Sequence, residues 1–202
     1  MEWMADIEGD AVAIYRRAKL DADRPVPIGR IVWELLGTKI QSAPLISTRE
    51  ATVGTSEGKT VIAVANRIAR PRARWLAAHE LAHWWYDLIG YRGEDIEERC
   101  DALGAAIICP RPAWLALRRR VEGDVHELAR RLATTQSLAL LRRGECEGTP
   151  AALVQPRRVV VRGWDFAWPA EEVVRKVARA GHPELRRVTI TDEGKRVGLM
   201  AA

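Results

Sequence analysis

The chain has 202 residues, 48% of them hydrophobic and 29% charged, which fits one medium domain or one domain with a small appendage and excludes a disordered protein. Its net charge of +5 comes mostly from arginine, which suits nucleic acid or an acidic protein partner and equally reflects a GC-rich genome. No apolar run approaches the roughly 18 residues of a membrane span, the first residues carry no secretory pattern, and Cys100, Cys109 and Cys146 show no paired short spacing, so a cytoplasmic protein without a disulfide framework is expected.

In chain order, apolar Val12, Ile14, Tyr15 and Ala18 predict a helix over residues 10–20. Pro27 opens a second short helix, Ile28–Leu36, and Gly37 closes it. The period then changes. β-Branched runs at 50–53 and 59–64 flank Gly54-Thr55-Ser56-Glu57-Gly58, which reads as a hairpin with a loop of about five residues. A long helix follows over 71–89, ending at Gly90, then one over 94–108 stopping at Pro110, and one over 113–121 started by Arg111-Pro112. Short helices at Val125–Leu132 and 137–142 surround Ala133-Thr134-Thr135-Gln136. Residues 144–156, with Gly148 and Pro150, form the best linker candidate. The remainder reads as a strand (159–161), a helix (170–180) and two strands (187–191 and 196–200), with no repeat or low-complexity tract. The fold class is α+β.

The chemistry concentrates in His79-Glu80-Leu81-Ala82-His83. Histidines four apart on a helix project from one face and can share a tetrahedral zinc ion. Glu80 lies about 100° round the same helix, outside the ligand plane but within reach of a water on the ion. Two neutral nitrogens hold the metal while one carboxylate takes the water's proton. Only His126 and His182 occur elsewhere, so half of the chain's histidine lies in this window.

A catalytic zinc needs a third protein ligand and an open position. The layout with a third histidine six residues after the second is excluded, because Ile89 stands there and Tyr86 replaces the expected glycine. The layout with a glutamate from the next helix fits Glu97. Asp101, one turn on, would accept a hydrogen bond from the free nitrogen of a ligand histidine and fix its tautomer. Ile96, Cys100, Leu103 and Ile107 mark the apolar stripe of that helix, and small Gly104, Ala105 and Ala106 permit close approach to the histidine helix. Glu94, Asp95 and Glu98 read as partners of the helix dipole. Cys100 reads as core, and Trp75, Trp84, Trp85 and Trp114 as core or groove walls.

Two stretches, Ala78-His79-Glu80-Leu81-Ala82-His83-Trp84 and Glu97-Glu98-Arg99-Cys100-Asp101-Ala102-Leu103 through Cys109-Pro110, resemble the ImmA/IrrE family of zinc-dependent metallopeptidases over about residues 10–143. The second is similar to the family's Glu-x-x-Ala-Asn-x-Phe-Ala, with Cys100-Asp101 standing for Ala-Asn and Leu103-Gly104 for Phe-Ala. The resemblance implies a zincin-like core with a small twisted sheet over 1–122, helix-turn-helix-like helices over 123–147 and a small α/β segment over 148–202. It further implies metal ligands His79, His83 and Glu97, catalytic Glu80, zinc or alternatively manganese, and cleavage of a helix-turn-helix transcriptional repressor in stress response or mobile-element control.

Residues 128–143, two arginine-rich helices around a small-polar turn, are compatible with phosphate contacts and equally with a packed helical hairpin. Two rivals to the peptidase reading follow: a DNA-binding regulator with a structural metal, and a partner that sequesters a repressor without cleaving it. No membrane partner is expected. The substrate is expected to lie extended along the sheet edge near residues 59–64. Tyr86, Tyr91 and His126 are the candidate oxyanion donors.

Overall fold

The computed structural model of the chain describes residues 2–46, 48–121, 124–149, 151–154, 159–162, 174–175, 185–190 and 196–201. The chain divides into two compact units, Met1–Leu117 and Arg118–Ala202.

Unit 1 opens with helix α1 (Glu2–Arg17). It starts earlier than residue 10 because its apolar stripe extends back through Ile7, which is buried with Ala11, Ile14, Tyr15 and Ala18. The Tyr15 hydroxyl donates to the carbonyl of Ile107 at 2.9 Å. Helix α2 (Ile28–Leu36) has the expected bounds, with Gly37 N–H returning to Trp33 O at 2.9 Å.

Strands β1 (Gln41–Ala43), β2 (Ala51–Ser56) and β3 (Lys59–Ala65) form a mixed sheet in the order β1-β3-β2. β1 is parallel to β3 and β2 is antiparallel to it. The hairpin turn has two residues rather than five. Glu57 (φ 51°) and Gly58 (φ 74°) both take positive φ, as a type I′ turn requires, and Ser56 pairs directly with Lys59. That turn makes Ser56–Lys59 a hydrogen-bonded pair, so the backbone groups of Gly54 and Thr52 also point at β3, in phase with the Ala65 N–H to Glu50 O bond of 2.8 Å. The alternate residues Ala51, Val53 and Thr55 therefore aim their N–H and C=O groups at the free edge.

Helix α3 (Arg70–Ile89) carries Pro71 in its first turn and closes at Gly90. Helix α4 (Ile96–Ile108) follows, and α5 (Arg111–Val121) runs across the boundary between the units. The sheet packs on α3, α3 on α4, and α4 on α1. From Cys100 to Ile108 every residue of α4 except Asp101 is buried, so the expected apolar stripe belongs to an enclosed core helix. No single helix among the described residues is long and apolar enough to cross a membrane.

Gly104 sets the α3–α4 spacing. A Cβ there would stand 3.0 Å from His79 N, 3.2 Å from His79 Cα and 3.3 Å from the Ala78 carbonyl carbon, all backbone atoms that cannot swing aside. In an open helix Gly→Ala gains about 1 kcal/mol. Here overpacking of about 1–3 kcal/mol opposes that gain. Gly104→Ala is expected to lose up to about 2 kcal/mol in urea unfolding; a gain would show that the helices separate freely.

In unit 2, α6 (Val125–Leu132) is capped by Asp124, which accepts from the N–H groups of His126 and Glu127. Helix α7 (Gln136–Glu147) is capped by Thr135 and runs five residues beyond the expected end, so Gly144 is helical. Strand β4 (Ala151–Val154) pairs on both sides within a sheet ordered β5-β4-β7-β6, where β5 is Val159–Arg162, β6 Leu185–Ile190 and β7 Arg196–Ala201. The proposed linker is thus mostly a helix end and an interior strand. The helix expected over 170–180 lies, apart from Val174 and Arg175, outside the described residues.

Candidate metal centre

His79, His83 and Glu97 converge between α3 and α4. Their facing atoms are 3.1 Å apart (His79 Nε2 to His83 Nε2), 3.4 Å (His79 Nε2 to Glu97 Oε2) and 3.4 Å (His83 Nε2 to Glu97 Oε1). Tetrahedral ligands about 2.0–2.1 Å from a zinc ion stand about 3.3–3.4 Å from each other, so the donor triangle has the size such an ion needs. Two neutral imidazoles and one carboxylate also leave a divalent ion with net positive charge. Glu97 is 74% exposed, against 12% for His79 and 26% for His83, so the centre opens on the carboxylate side.

The histidine tautomer has a structural cause. His79 Nδ1 lies 3.0 Å from Asp101 Oδ1, an electrostatic contact outside hydrogen-bond geometry. A carboxylate at Nδ1 keeps the proton there and directs the Nε2 lone pair at the centre. Burial pulls the His79 pKa down, yet the nearby Asp101 carboxylate, with the charges of Glu80 and Glu97, outweighs it and holds the imidazole above its ordinary value. The two Nε2 atoms, 3.1 Å apart, are placed to share one proton or one cation.

Glu80 is half-buried on α3 beside this triangle, and its negative charge is felt at both His79 and Cys100. Cys100 itself is fully buried under the centre, and burial first, then the charges of Glu97, Asp101 and Glu80, push its thiol pKa far up. It is an inert core group, not a thiolate ligand. Trp114 and Trp85 are buried, and Trp75 lies against His79 with ring centroids 5.5 Å apart.

A groove of about 490 Å³ adjoins the centre, with His83 in its wall and Val53, Gly54, Thr55, Trp84, Tyr91 and Ile96 among its other residues. The sheet order corrects the expected substrate edge. β3 is the middle strand, β1 covers its Ala63–Ala65 end, and the Thr38 hydroxyl donates to Thr60 O at 2.9 Å. The strand with a free edge beside the groove is β2.

Of the three suggested oxyanion donors, Tyr86 and Tyr91 line this groove, and the Tyr91 hydroxyl donates to Asp95. The Tyr86 hydroxyl is buried, and burial and then the charge of Asp10 raise its pKa. His126 belongs to α6 of the other unit.

No protein-family model matches the chain, and no curated protein sequence matches it significantly. Its fold is similar to a solved structure of a Mycobacterium tuberculosis transcriptional regulator, with a TM-score of 0.66 at 16% identity over 97% of this chain and 87% of that one. At that identity the likeness concerns the fold alone.

Proposed function

We propose that this chain is a zinc-dependent endopeptidase of the ImmA/IrrE type that cleaves and so inactivates a helix-turn-helix transcriptional repressor. The observation that carries this reading is the donor triangle of His79, His83 and Glu97, sized for a tetrahedral ion and open on one side, with Glu80 adjacent. His79, His83 and Glu97 would hold the divalent ion, zinc or manganese, which when bound would acidify a water and polarise a carbonyl. Glu80 accepts the proton of the attacking water and returns it to the departing amine. Asp101, 3.0 Å from His79 Nδ1, would keep the proton on that nitrogen and leave Nε2 to face the ion. The groove beside His83 takes the polypeptide, whose backbone pairs with the outward groups of Val53 and Thr55 on β2.

The test is incubation of the metal-loaded protein with small helix-turn-helix repressors, with cleavage read by mass spectrometry. An intact repressor would sink the peptidase reading. Strand pairing has its own check. Val53→Pro removes an N–H that points away from β3, which an edge strand tolerates. Metal content is expected to stay near wild type while KM rises about tenfold, as loss of one or two backbone hydrogen bonds implies. An unchanged KM would exclude pairing at β2.

A second reading is a regulator that sequesters the repressor around a non-catalytic metal site. Its motive is the description of the similarly folded structure as a transcriptional regulator, a word that concerns that protein. It predicts a stable stoichiometric complex without cleavage, the same for wild type and Glu80→Gln. Direct duplex contact by residues 118–143 has less support. Arg118 and Arg143 share Glu147, Arg130 and Arg131 share Glu127, and Arg142 pairs with Glu145. The two arginines beside Glu127 hold its carboxyl down at about 2. No residue of α7 is exposed, whereas a reading helix must present a face to the major groove.

A further inference from the structure

The third ligand of the proposed centre has a weakness. Glu97 sits in the first turn of α4, it is 74% exposed, and Asp95 at the N-cap gives α4 no side-chain cap. Helix first turns fray unless something holds them. The two histidines, by contrast, stand in the middle of a long packed helix. Formation of the centre therefore depends on what fixes the start of α4.

The side chains on either side of Glu97 supply that. Asp95 receives the Tyr91 hydroxyl on one carboxylate oxygen and Arg99 Nε, at 2.8 Å, on the other. The Arg99 guanidinium lies 4.6 Å from the Tyr91 ring centroid, closing a three-membered clamp. The clamp is anchored in α3, because Tyr91 N–H donates to Tyr86 O at 2.8 Å and the two tyrosine rings lie 5.3 Å apart. Arg99 is only 16% exposed on its side chain, and its charge is felt at both Asp10 of α1 and Tyr86 of α3. Gly93 makes room for this. A Cβ there would overlap the Tyr91 hydroxyl and stand 2.5 Å from Asp95 Oδ1.

The spacing gives the clamp its effect. Asp95 and Arg99 are four apart and share one face of the turn, while Glu97 lies midway and projects about 200° round the helix from Asp95. Pinning one face of the turn aims the other at the histidines. We infer that Tyr91, Asp95 and Arg99 are positioning residues for the metal centre, holding Glu97 in ligating geometry without touching the ion. The inference rests on the proposed His79–His83–Glu97 centre.

The experiment measures zinc affinity of the full chain by competition with a chromophoric chelator, alongside thermal unfolding without metal. Asp95→Asn and Arg99→Gln are expected to weaken zinc binding about 10–100-fold, the range for lost outer partners of metal ligands. Arg99→Lys, which keeps the charge without the planar fork, should recover part of the loss. Gly93→Ala should weaken binding with no charge altered. Arg30→Gln, in an exposed 3.9 Å pair with Glu34, is the control and should leave affinity unchanged. Because a merely structural role would lower stability and not affinity, folded variants with wild-type zinc affinity overturn the inference while leaving the centre standing. A wild type that binds no zinc overturns both.

Discussion

Glu80→Gln is expected to keep its metal and lose repressor cleavage by about 10²–10⁴-fold, the usual contribution of a general base. The substitution is nearly isosteric and Glu80 is not in the donor triangle, so the 3.1 and 3.4 Å separations among His79, His83 and Glu97 should survive it. What disappears is the proton acceptor. Its negative charge also acts on His79, so its removal lowers the imidazole pKa slightly and takes away some attraction for the cation, two small opposing changes that leave metal content near wild type. Metal content by elemental analysis and cleavage rate by mass spectrometry separate the two effects. Full cleavage by Glu80→Gln would remove it from the chemistry, and loss of metal would mean that it ligates.

How much of this was legible in the sequence varies with the interaction involved. Helices α2 and α3 were readable because their ends are written in local residues: Pro27 and Gly37 around one, Pro71 and Gly90 around the other. The face shared by Glu97 and Asp101 followed from helical spacing, and both now lie near His79, at 3.4 and 3.0 Å. Gly104, expected with Ala105 and Ala106 to permit close approach to the histidine helix, is pressed against the His79 backbone.

The misses have physical causes too. The Glu57-Gly58 turn was hidden because glutamate seldom takes positive φ, and Asn-Gly would have announced it. Strand β4 is Ala-Ala-Leu-Val, buried with no polar alternation, between two prolines that signalled a linker. β1 is three residues long and polar in two of them, yet its pairing makes β3 the middle strand and moves the free edge to β2. Asp95 was read as a dipole partner, whereas its carboxyl is taken by Tyr91 and Arg99, which lower its pKa. The Asp95–Arg99 half follows i,i+4 spacing, but the Tyr91 half depends on how the chain folds back between α3 and α4, which that spacing does not encode.

His83→Ala should abolish the stabilisation that zinc confers. At free zinc about 100 times the dissociation constant, a wild-type centre adds about 2.7 kcal/mol, which for a chain of this size raises Tm by roughly 5–10 °C. Removing a direct ligand costs more than the 10–100-fold loss of an outer partner. Even a 100-fold loss leaves only about 0.4 kcal/mol at the same zinc level. His83→Ala is therefore expected to melt at nearly the same temperature with and without zinc. The wild-type shift should also depend on pH with a definite sign. In the metal-free chain the raised pKa of His79 contributes stability below the unfolded value of 6.5 and loses it as pH rises through the folded value. Zinc needs the same nitrogen deprotonated, so the zinc-dependent increment grows as pH rises past that range and shrinks as pH falls through it. Differential scanning calorimetry at pH 5.5 and 8 with matched free zinc checks both points. An equal shift at the two pH values, or a normal shift in His83→Ala, would place the bound ion somewhere other than between His79, His83 and Glu97.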